Sequence, residues 1–352
     1  MAVTIKDVAK MAGTSTATVS KVLNGSYSIS EETTLRIKKV MDELNYQPNQ
    51  RARNFAKQSS KTIIFVTKLE QNTGFNNPHM FEIMCGLENV LSKKGYSLCV
   101  KSVAPSETCE YIKESYETRS ADGFVIHASV LSKELDELMY HMSIPHILLG
   151  NPNFTSHLCW IDIDNKLAGE LAAKHLLEKG YHRLAFIGGR AEDQISKHRL
   201  DGVMSVLKEH DIIVPNEYFQ NGESECDSAY ATVNKILKMH HIPDALICAN
   251  NYIAYGCVNA LHDKGIRIPD DIAIITFDDF PFSKILKPSL TVVNIDVYDM
   301  GVQAGKYIIQ KIKKNNLYMQ SYITLPALIE RKSVKEQSVQ STLAVKQRLF
   351  ES

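Results

Sequence analysis

The stretch TIKDVAKMAGTSTATVSKVLNG, residues 4–25, decides how the N-terminal part of this chain folds. Apolar residues recur at helical spacing over its first part, and Thr4 is suited to begin a capping box. Gly13 interrupts the pattern, and Ser15 is suited to cap a second short helix over residues 16–23. The stretch therefore predicts two short helices joined by a tight turn.

The predicted second helix has two faces of different character. Val19, Val22 and Leu23 share an apolar face that would pack on the first helix. A helix that lies against duplex DNA needs its outer face small and polar, because bulky apolar groups would block the groove and acids would meet phosphates. The outer face here fits that need and carries Thr16, Ala17, Ser20, Lys21 and Asn24.

A third helix is predicted from Ser30, and it ends before Pro48 because proline disfavours helix in the residue that precedes it. Two short helices joined by a glycine turn and followed by a third are typical of a helix-turn-helix unit. Residues 1–60 contain nine Lys/Arg and five Asp/Glu, whereas the whole chain is formally neutral. This basic balance favours nucleic-acid binding, with an ordinary three-helix bundle that binds nothing as the alternative.

The composition of the whole chain excludes several classes of protein. Its 352 residues are more than one core usually serves, so we expect more than one domain. The N-terminus lacks the apolar segment of a signal peptide and no apolar run reaches eighteen residues, so we expect a cytoplasmic protein without membrane contact. Seven scattered cysteines without a C-x-x-C pair indicate free thiols. Neither G-x-x-x-x-G-K-[ST] nor G-x-S-x-G occurs, so we expect no enzyme and no cofactor or metal.

Beyond residue 61, short apolar runs alternate with helical patterns up to the run IAIITF at residues 272–277. Such alternation predicts parallel sheets with helices on both faces. The triplet Lys-Gly-Tyr separates a helix from a strand at residues 94–96 and again at 179–181, which hints at two similar halves. We therefore predict two doubly wound lobes, with a ligand site between them at the carboxyl ends of the strands.

Residues 4–25 resemble the signature T-I-K-D-V-A-x-x-A-G-x-S-x-x-T-V-S-x-V-L-N-G of the DNA-binding headpiece of the LacI/GalR (lactose-repressor) family of bacterial transcription regulators. The resemblance implies that the second helix enters the major groove and contacts base edges, while neighbouring residues contact phosphates. The headpiece residues that it assigns to DNA are Thr4, Ser15, Thr16, Ala17, Ser20, Lys21 and Asn24.

The family's hinge motifs N-Y-x-P-N and A-R-x-L resemble residues 45–49 and 52–55, which read NYQPN and ARNF. In relatives this hinge folds into a helix in the minor groove, where its leucine wedges between two base pairs and kinks the duplex. The resemblance therefore assigns DNA contacts to Asn49, Arg53 and Phe55, with Phe55 at the wedge position.

The resemblance extends over the body to about residue 330. Landmarks include DN at residues 164–165, HRLAFIGG at 182–189, RLDG at 199–202 and TFDD at 276–279. It implies a fold in which an all-α helix-turn-helix headpiece joins an α/β body of two doubly wound parallel-sheet lobes, like periplasmic binding proteins. The residues that it assigns to the effector are His79, Met80, Ile195, Arg199, Ser224, Asn250 and Asp278.

Four positions depart from the family pattern. His79 and Met80 replace two aromatic residues that often line the effector site, Asn251 replaces the usual Asp, and Ser224 replaces a stacking aromatic of some relatives. These departures indicate a pocket with one stacking surface fewer than in many relatives.

The sequence thus predicts four segments: a headpiece over residues 1–48, a hinge and linker over 49–60, a two-lobed effector-binding and dimerisation domain over 61–330, and a flexible polar tail over 331–352. The expected function is a repressor of a carbohydrate operon that binds a pseudo-palindromic operator as a homodimer. A sugar or sugar derivative is the expected effector. One alternative is a carbon-catabolite-type regulator with a phosphorylated carrier protein as co-effector, and another is a small-molecule sensor without DNA function.

Overall fold

A computed structural model describes residues 3–23, 28–47, 59–69, 78–314 and 321–335. The headpiece contains three helices, α1 (Ile5–Met11), α2 (Thr16–Leu23) and α3 (Glu31–Glu43). The helices of the body are α4 (Pro78–Lys93), α5 (Thr108–Glu117), α6 (Lys133–His141), α7 (Asn165–Glu178), α8 (Gln194–Glu209), α9 (Cys226–Ile236), α10 (Asn251–Asp263), α11 (Pro281–Ile285) and α12 (Val297–Lys313). Its strands are β1 (Thr62–Thr67), β2 (Ser97–Ser102), β3 (Gly123–His127), β4 (His146–Leu149), β5 (Trp160–Ile163), β6 (Leu184–Ile187), β7 (Phe219–Gln220), β8 (Ala245–Cys248), β9 (Ala273–Phe277), β10 (Thr291–Asn294), β11 (Ser321–Thr324) and β12 (Ala327–Ile329).

The headpiece confirms the predicted helix boundaries. The Thr4 backbone N–H donates to Asp7 Oδ2 at 2.9 Å, which completes the capping box of α1. Gly13 takes a positive φ of 62° in the turn, a conformation that glycine adopts without steric cost. Ser15 Oγ then accepts from the Thr18 backbone N–H at 3.1 Å and caps α2. The buried residues of all three helices form one small core of Val8, Ala9, Ala12, Val19, Ile37 and Val40.

The body consists of two lobes, each with one six-stranded sheet. The sheet of lobe 1 has the order β11-β5-β4-β3-β1-β2, and all its neighbouring strands are parallel. The sheet of lobe 2 has the order β12-β10-β9-β8-β6-β7, with β12 antiparallel to β10 and the other neighbours parallel. This architecture confirms the fold class that the strand–helix alternation predicted.

The chain passes between the lobes three times. It crosses between β5 and α7, between β10 and α12, and between β11 and β12. Two crossings contact each other, because the Asp164 N–H donates to the Thr324 carbonyl at 3.2 Å. Short crossings of this kind are where hinged binding proteins change the angle between their lobes.

The ends of the body differ from the predicted boundaries. Ser60 N–H donates to Asp122 Oδ1 at 2.6 Å, so the end of the linker is fixed on lobe 1. At the other end, Ser333 is fully buried and Val334 joins the core of lobe 2. Residues 331–335 therefore pack on the body rather than forming part of a flexible tail. Among the described residues, no helix has the length and apolar character needed to cross a membrane.

A buried histidine gives lobe 1 a predicted sensitivity to acid. His146 is 5% exposed, its Nδ1 lies 2.6 Å from the Ile144 carbonyl, and its Nε2 lies 3.4 Å from the Cys159 backbone N. Burial, with a smaller effect of the Lys311 charge, lowers the pKa of His146 from 6.5 to about 3. Between these values only the unfolded chain takes up the proton, so stability is full above pH 6.5 and falls as the pH drops toward 3.

We expect His146 alone to cost about 2 kcal/mol of unfolding free energy at pH 5 relative to pH 7. Urea unfolding at both pH values, with wild type and His146→Gln, measures this loss. Between pH 7 and pH 5, the unfolding free energy of His146→Gln should fall by about 2 kcal/mol less than that of wild type. The control His262→Gln changes an exposed ring and should lose as much stability as wild type. An equal pH effect in wild type and His146→Gln would contradict the assignment.

Candidate functional site

The outer face of α2 is open to solvent. Thr16, Ala17 and Lys21 are exposed, Ser20 is half-buried, and Val19 on the opposite face is fully buried. The structure therefore separates the packing face and the outer face as the helical spacing predicted. A face of small polar groups with one lysine can approach base edges in a major groove without steric obstruction.

The remaining residues assigned to DNA fall into two groups. Thr4 and Ser15 are exposed, and both take part in helix capping, which leaves them at the N-terminal ends of α1 and α2. A helix N-terminus presents backbone N–H groups that suit a phosphate. Four further residues lie outside the described residues, namely Asn24, Asn49, Arg53 and Phe55.

Between the lobes, the structure brings His79, Arg199 and Asp278 together. Asp278 follows β9 in lobe 2, has a positive φ of 70° and is 4% exposed. Its Oδ2 lies 2.8 Å from Nε2 of His79, which comes from α4 in lobe 1. The same oxygen lies 3.7 Å from Arg199 Nη2. This cluster, which we call the cleft triad, is therefore a polar contact between the two lobes.

One oxygen of the cleft triad has no hydrogen-bond partner in the described part of the chain. Asp278 Oδ1 is buried and accepts no hydrogen bond from any of the described residues. A buried acceptor without a donor costs roughly 1–3 kcal/mol, so a ligand that donates a hydrogen bond there gains this free energy back. The position of this oxygen at the end of a parallel strand is where open α/β sheets bind ligands.

Opposing effects set the protonation of Asp278. Burial raises the pKa of its carboxyl, but the charges of His79 and Arg199 and the hydrogen bond from His79 outweigh burial and hold the pKa below its ordinary value. The carboxylate is therefore ionised at neutral pH, and Oδ1 acts as a hydrogen-bond acceptor only.

Arg199 is held in place from several sides. Its side chain donates from Nε to Asn165 Oδ1 at 3.1 Å and from Nη1 to the Ala249 carbonyl at 2.6 Å. Its guanidinium also lies over the Phe277 ring, 4.2 Å from the centroid. Burial lowers the pKa of Arg199, and the charge of Asp278 opposes that effect. The guanidinium still remains charged, since arginine keeps its proton in proteins.

Asn251 fixes the backbone of the loop that carries Asp278. Its Nδ2 donates to the carbonyls of Phe277 and Asp278, at 2.8 and 3.1 Å, and its Oδ1 accepts from Ser283 Oγ at 2.6 Å. The amide supplies donors that an aspartate at this position would not have. The departure from the family pattern therefore has a structural role in positioning Asp278.

The other residues assigned to the effector occupy different surroundings. Met80 is 9% exposed and belongs to the core of lobe 1, whereas Ile195 is 49% exposed near the start of α8. Asn250 caps α10, since its Oδ1 accepts from the Ile253 N–H at 2.9 Å. Ser224 is half-buried, and its Oγ lies 2.4 Å from the position that a Cβ on Gly189 would occupy. The structure joins none of these four to the cleft triad by a hydrogen bond or ion pair among the described residues.

Sequence reasoning did not assign a role to several polar residues around the cleft triad. Asn165 orients Arg199, and Asp162 in lobe 1 accepts from the Asn151 N–H at 3.0 Å. Burial raises the pKa of Asp162, and the nearby charges of His198 and Arg199 oppose that rise. Asp164 and Asn165 form a family landmark, so Asn165 could be found from the sequence. Asp162 lies inside an apolar strand, and no sequence motif singles it out.

Comparisons with known proteins agree with both parts of the structure. The pattern of the bacterial regulatory proteins of the lacI family matches residues 4–49, and that of a periplasmic binding protein-like domain matches residues 173–334. The HTH-type transcriptional repressor PurR of Vibrio atlanticus (strain LGP32) is 31% identical over 335 residues, which cover 94% of this chain and 98% of the relative. PurR of Haemophilus influenzae is 32% identical over 339 residues, with coverage of 94% and 98%.

Among solved structures, the lac repressor dimer bound to operator and the anti-inducer ONPF has a TM-score of 0.82 at 22% identity. The match covers 95% of this chain and all of that one, and at this identity it shows a common fold. The regulator CelR in complex with cellobiose matches with a TM-score of 0.70 at 24% identity, covering 94% of this chain and 99% of that one. By its headpiece, its two lobes and its full-length relatives, the chain belongs to the lacI family of bacterial regulatory proteins.

Proposed function

We propose that this protein is a transcriptional repressor that binds operator DNA as a homodimer and changes its DNA affinity when a sugar or sugar derivative binds between its lobes. Its family and its repressor relatives support a ligand-responsive DNA-binding regulator rather than an enzyme. The observation that carries the proposal is the exposed, small and polar outer face of α2, mounted on a buried apolar face.

The proposed regulator has a headpiece, a connecting segment and an effector-binding body. Residues 1–48 form the DNA-binding headpiece, residues 49–60 connect it to the body, and the effector-binding body runs from residue 61 to residue 335, slightly beyond the boundary that the sequence suggested. Thr16, Ala17, Ser20 and Lys21 read base edges, while the hinge contributes Asn49, Arg53 and Phe55 in the minor groove.

The cleft triad supports a hydroxyl-rich effector. Asp278 Oδ1 lacks a hydrogen-bond donor among the described residues, and a ligand hydroxyl can donate to it. The oxygen of the same hydroxyl can accept a hydrogen bond from the nearby Arg199 guanidinium. Ser224 offers no aromatic ring on which a flat base could stack, which favours a sugar over a heteroaromatic ligand. His79 reaches Asp278 from the opposite lobe, so an effector that binds Asp278 directly changes the contact between the lobes.

This geometry links effector binding to DNA binding. A ligand shifts an equilibrium only when it binds the two states with different free energies, and coupling energies of about 1–3 kcal/mol are typical. A ligand that bonds to Asp278 and to lobe 1 would favour one lobe angle over the other. Lobe 1 is joined to the linker through Ser60, so a change of angle reaches the headpieces.

An exposed apolar patch on lobe 2 supports the homodimer. Phe282 is 60% exposed, Ile285 is 67% exposed and Tyr252 is 46% exposed. The rings of Tyr255 and Phe282 meet edge to face with centroids 5.8 Å apart, so the patch is continuous. Contiguous exposed apolar residues mark interaction surfaces, and a second copy would cover this one.

The DNA contacts of α2 are tested by the double substitution Thr16→Ala with Ala17→Gly. We expect it to relax the choice of operator, because each lost base contact removes roughly 1–3 kcal/mol of discrimination. Competition binding between the preferred duplex and its single-base variants measures this loss. Lys6→Ala, at an exposed position of α1, serves as the control that should keep the preference. An unchanged preference in the double variant would place the recognition surface elsewhere.

A further inference from the structure

On lobe 1, a histidine and two carboxylates converge where the loop before β5 passes α6. Asp136, Glu137 and His157 each bring one potential ligand atom to this place, and the three atoms lie within 4.8 Å of one another. One imidazole nitrogen and two carboxylate oxygens form a donor set that suits zinc and similar first-row divalent cations. We call these three residues the α6 cluster.

Asp136 is the preorganised part of the α6 cluster. It is 2% exposed, and its Oδ1 accepts from Ser156 Oγ and from the His157 backbone N–H, the latter at 3.1 Å. Its Oδ2 lies 3.0 Å from His157 Nδ1. Hydrogen bonds to the non-ligating oxygen fix the orientation of a carboxylate, as the outer shells of metal sites do. Oδ2 and Nδ1 are therefore held side by side before any ion binds.

The other donors of the cluster face solvent. The His157 ring stacks on Tyr140 with centroids 4.5 Å apart, and its side chain is 49% exposed. The Glu137 side chain is 57% exposed, and its Oε2 lies 3.2 Å from Nε2 of His141, one helical turn later. An ion can therefore enter from solvent, and the Glu137 side chain can rotate to meet it.

The distances match those of a small tetrahedral ion. Zinc–nitrogen and zinc–oxygen bonds of about 2.0–2.1 Å place neighbouring ligand atoms about 3.3 Å apart. The Asp136–His157 and Glu137–His141 pairs, at 3.0 and 3.2 Å, are already near this spacing. Rotation of the exposed Glu137 side chain can bring its carboxylate closer to the Asp136–His157 pair.

We propose that Asp136, Glu137 and His157 bind a divalent transition-metal cation of the zinc type. The cation takes the place of the contact between Asp136 Oδ2 and His157 Nδ1. The cation fastens the loop before β5 to α6. This loop begins at Asn151, whose N–H donates to Asp162. Asp162 in turn lies close enough to Arg199 to interact with its charge. The site is separate from the headpiece, and its existence does not depend on the proposed regulatory function.

The test titrates zinc chloride into chelator-treated, desalted full-length protein in competition with a fluorescent zinc indicator. Wild type should bind one equivalent at this site, and His157→Ala should weaken it by more than about 100-fold, since even outer-shell partners of a ligand contribute 10–100-fold. Ser156→Ala, which removes such an outer-shell donor, should weaken it by about 10–100-fold. Circular dichroism of each metal-free variant verifies that the fold is kept.

A second readout and a matched control exclude zinc bound elsewhere. Zinc should raise the thermal midpoint of wild type but not of Glu137→Gln, a change on an exposed side chain. His240→Ala with His241→Ala removes two adjacent imidazoles 3.1 Å apart, away from the cluster in sequence, and should leave the site intact. The proposal is overturned by absence of zinc uptake in wild type, by uptake that survives both His157→Ala and Glu137→Gln, or by uptake that disappears only with His240 and His241.

Discussion

Replacing Arg199 with alanine is expected to lower the free energy of unfolding by about 3–5 kcal/mol and to abolish the effector response. The substitution removes the guanidinium from the buried carboxylate of Asp278 and, among the described residues, leaves the His79 ring as its remaining ion-pair partner. It also removes the donors to Asn165 Oδ1 and to the Ala249 carbonyl. Breaking a buried pair from one side costs this much because the remaining charge stays buried and poorly compensated.

Urea unfolding at pH 7 measures the loss of stability in Arg199→Ala. Arg190→Ala is a matched control, because the Arg190 side chain is 69% exposed and pairs with Glu223 on the surface. Exposed pairs contribute about 0–1 kcal/mol, so the control should unfold almost as wild type does. Equal stability of the two variants would contradict the arrangement of the cleft triad. Operator binding at low temperature should persist in both, since the headpiece has its own core.

Replacing Gly202 with alanine is the second change with a large expected effect. Gly202 lies on α8 where that helix touches α7, and a Cβ there would lie 2.0 Å from the Lys166 carbonyl oxygen. Gly169 on α7 lies equally close to α8, because a Cβ there would lie 1.9 Å from the Arg199 carbonyl oxygen. The two helices contact through their backbones, so a methyl group at either position must push them apart.

We expect Gly202→Ala to destabilise the protein by about 3 kcal/mol, at the upper end of what overpacking costs. This loss runs against helix propensity, which alone would favour alanine by roughly 1 kcal/mol. Asp201→Ala, at the neighbouring exposed position of the same helix, controls for propensity and should be nearly neutral or stabilising. Thermal unfolding of wild type, Gly202→Ala and Asp201→Ala measures the effect. A midpoint of Gly202→Ala at or above that of wild type would contradict the backbone contact between the helices. Displacement of α8 also moves Arg199, so the effector response should weaken as well.

Local patterns were sufficient to predict the headpiece and most of the body. The capping box at Thr4, the turn at Gly13 and the cap at Ser15 depend on neighbours within a few residues, and all three are confirmed. The strands and helices up to β9, apart from the two-residue strand β7, follow from apolar runs and helical spacing. Arg199 and Asp278 were assigned through the family landmarks RLDG and TFDD; Asp278 directly follows β9, whereas Arg199 lies within α8.

Features that depend on distant contacts were not predictable. The return of the chain to lobe 1 in α12, and the last strands β11 and β12, follow from packing across the molecule and have no local signature. Met80 could be read as a pocket residue from its place beside His79, but the helix turns it into the core of lobe 1. The contact between His79 and Asp278 joins residues about 200 positions apart, and a single sequence does not show such a pair.

The departures from the family pattern have different consequences in the structure. Asn251 gains donors that brace the loop of Asp278, so its change of type has a structural reason. At position 79, an ionisable histidine replaces the aromatic residue that often lines the effector site. Its ring pairs with Asp278 and meets the Phe280 ring edge to face, with the ring centroids 5.0 Å apart. An effector that donates to Asp278 Oδ1 therefore shares the carboxylate with His79, which contacts Oδ2.

The most direct test of the central claim is selection of bound duplexes from random DNA with the purified full-length protein, at two salt concentrations. The proposed homodimer should recover a pseudo-palindrome with two half-sites and a flexible pyrimidine–purine step at its centre, where Phe55 would insert. The motif should persist at the higher salt concentration although affinity falls. Recovery of no motif, with binding that disappears as salt rises, would show only sequence-independent phosphate contact and would contradict an operator-specific repressor.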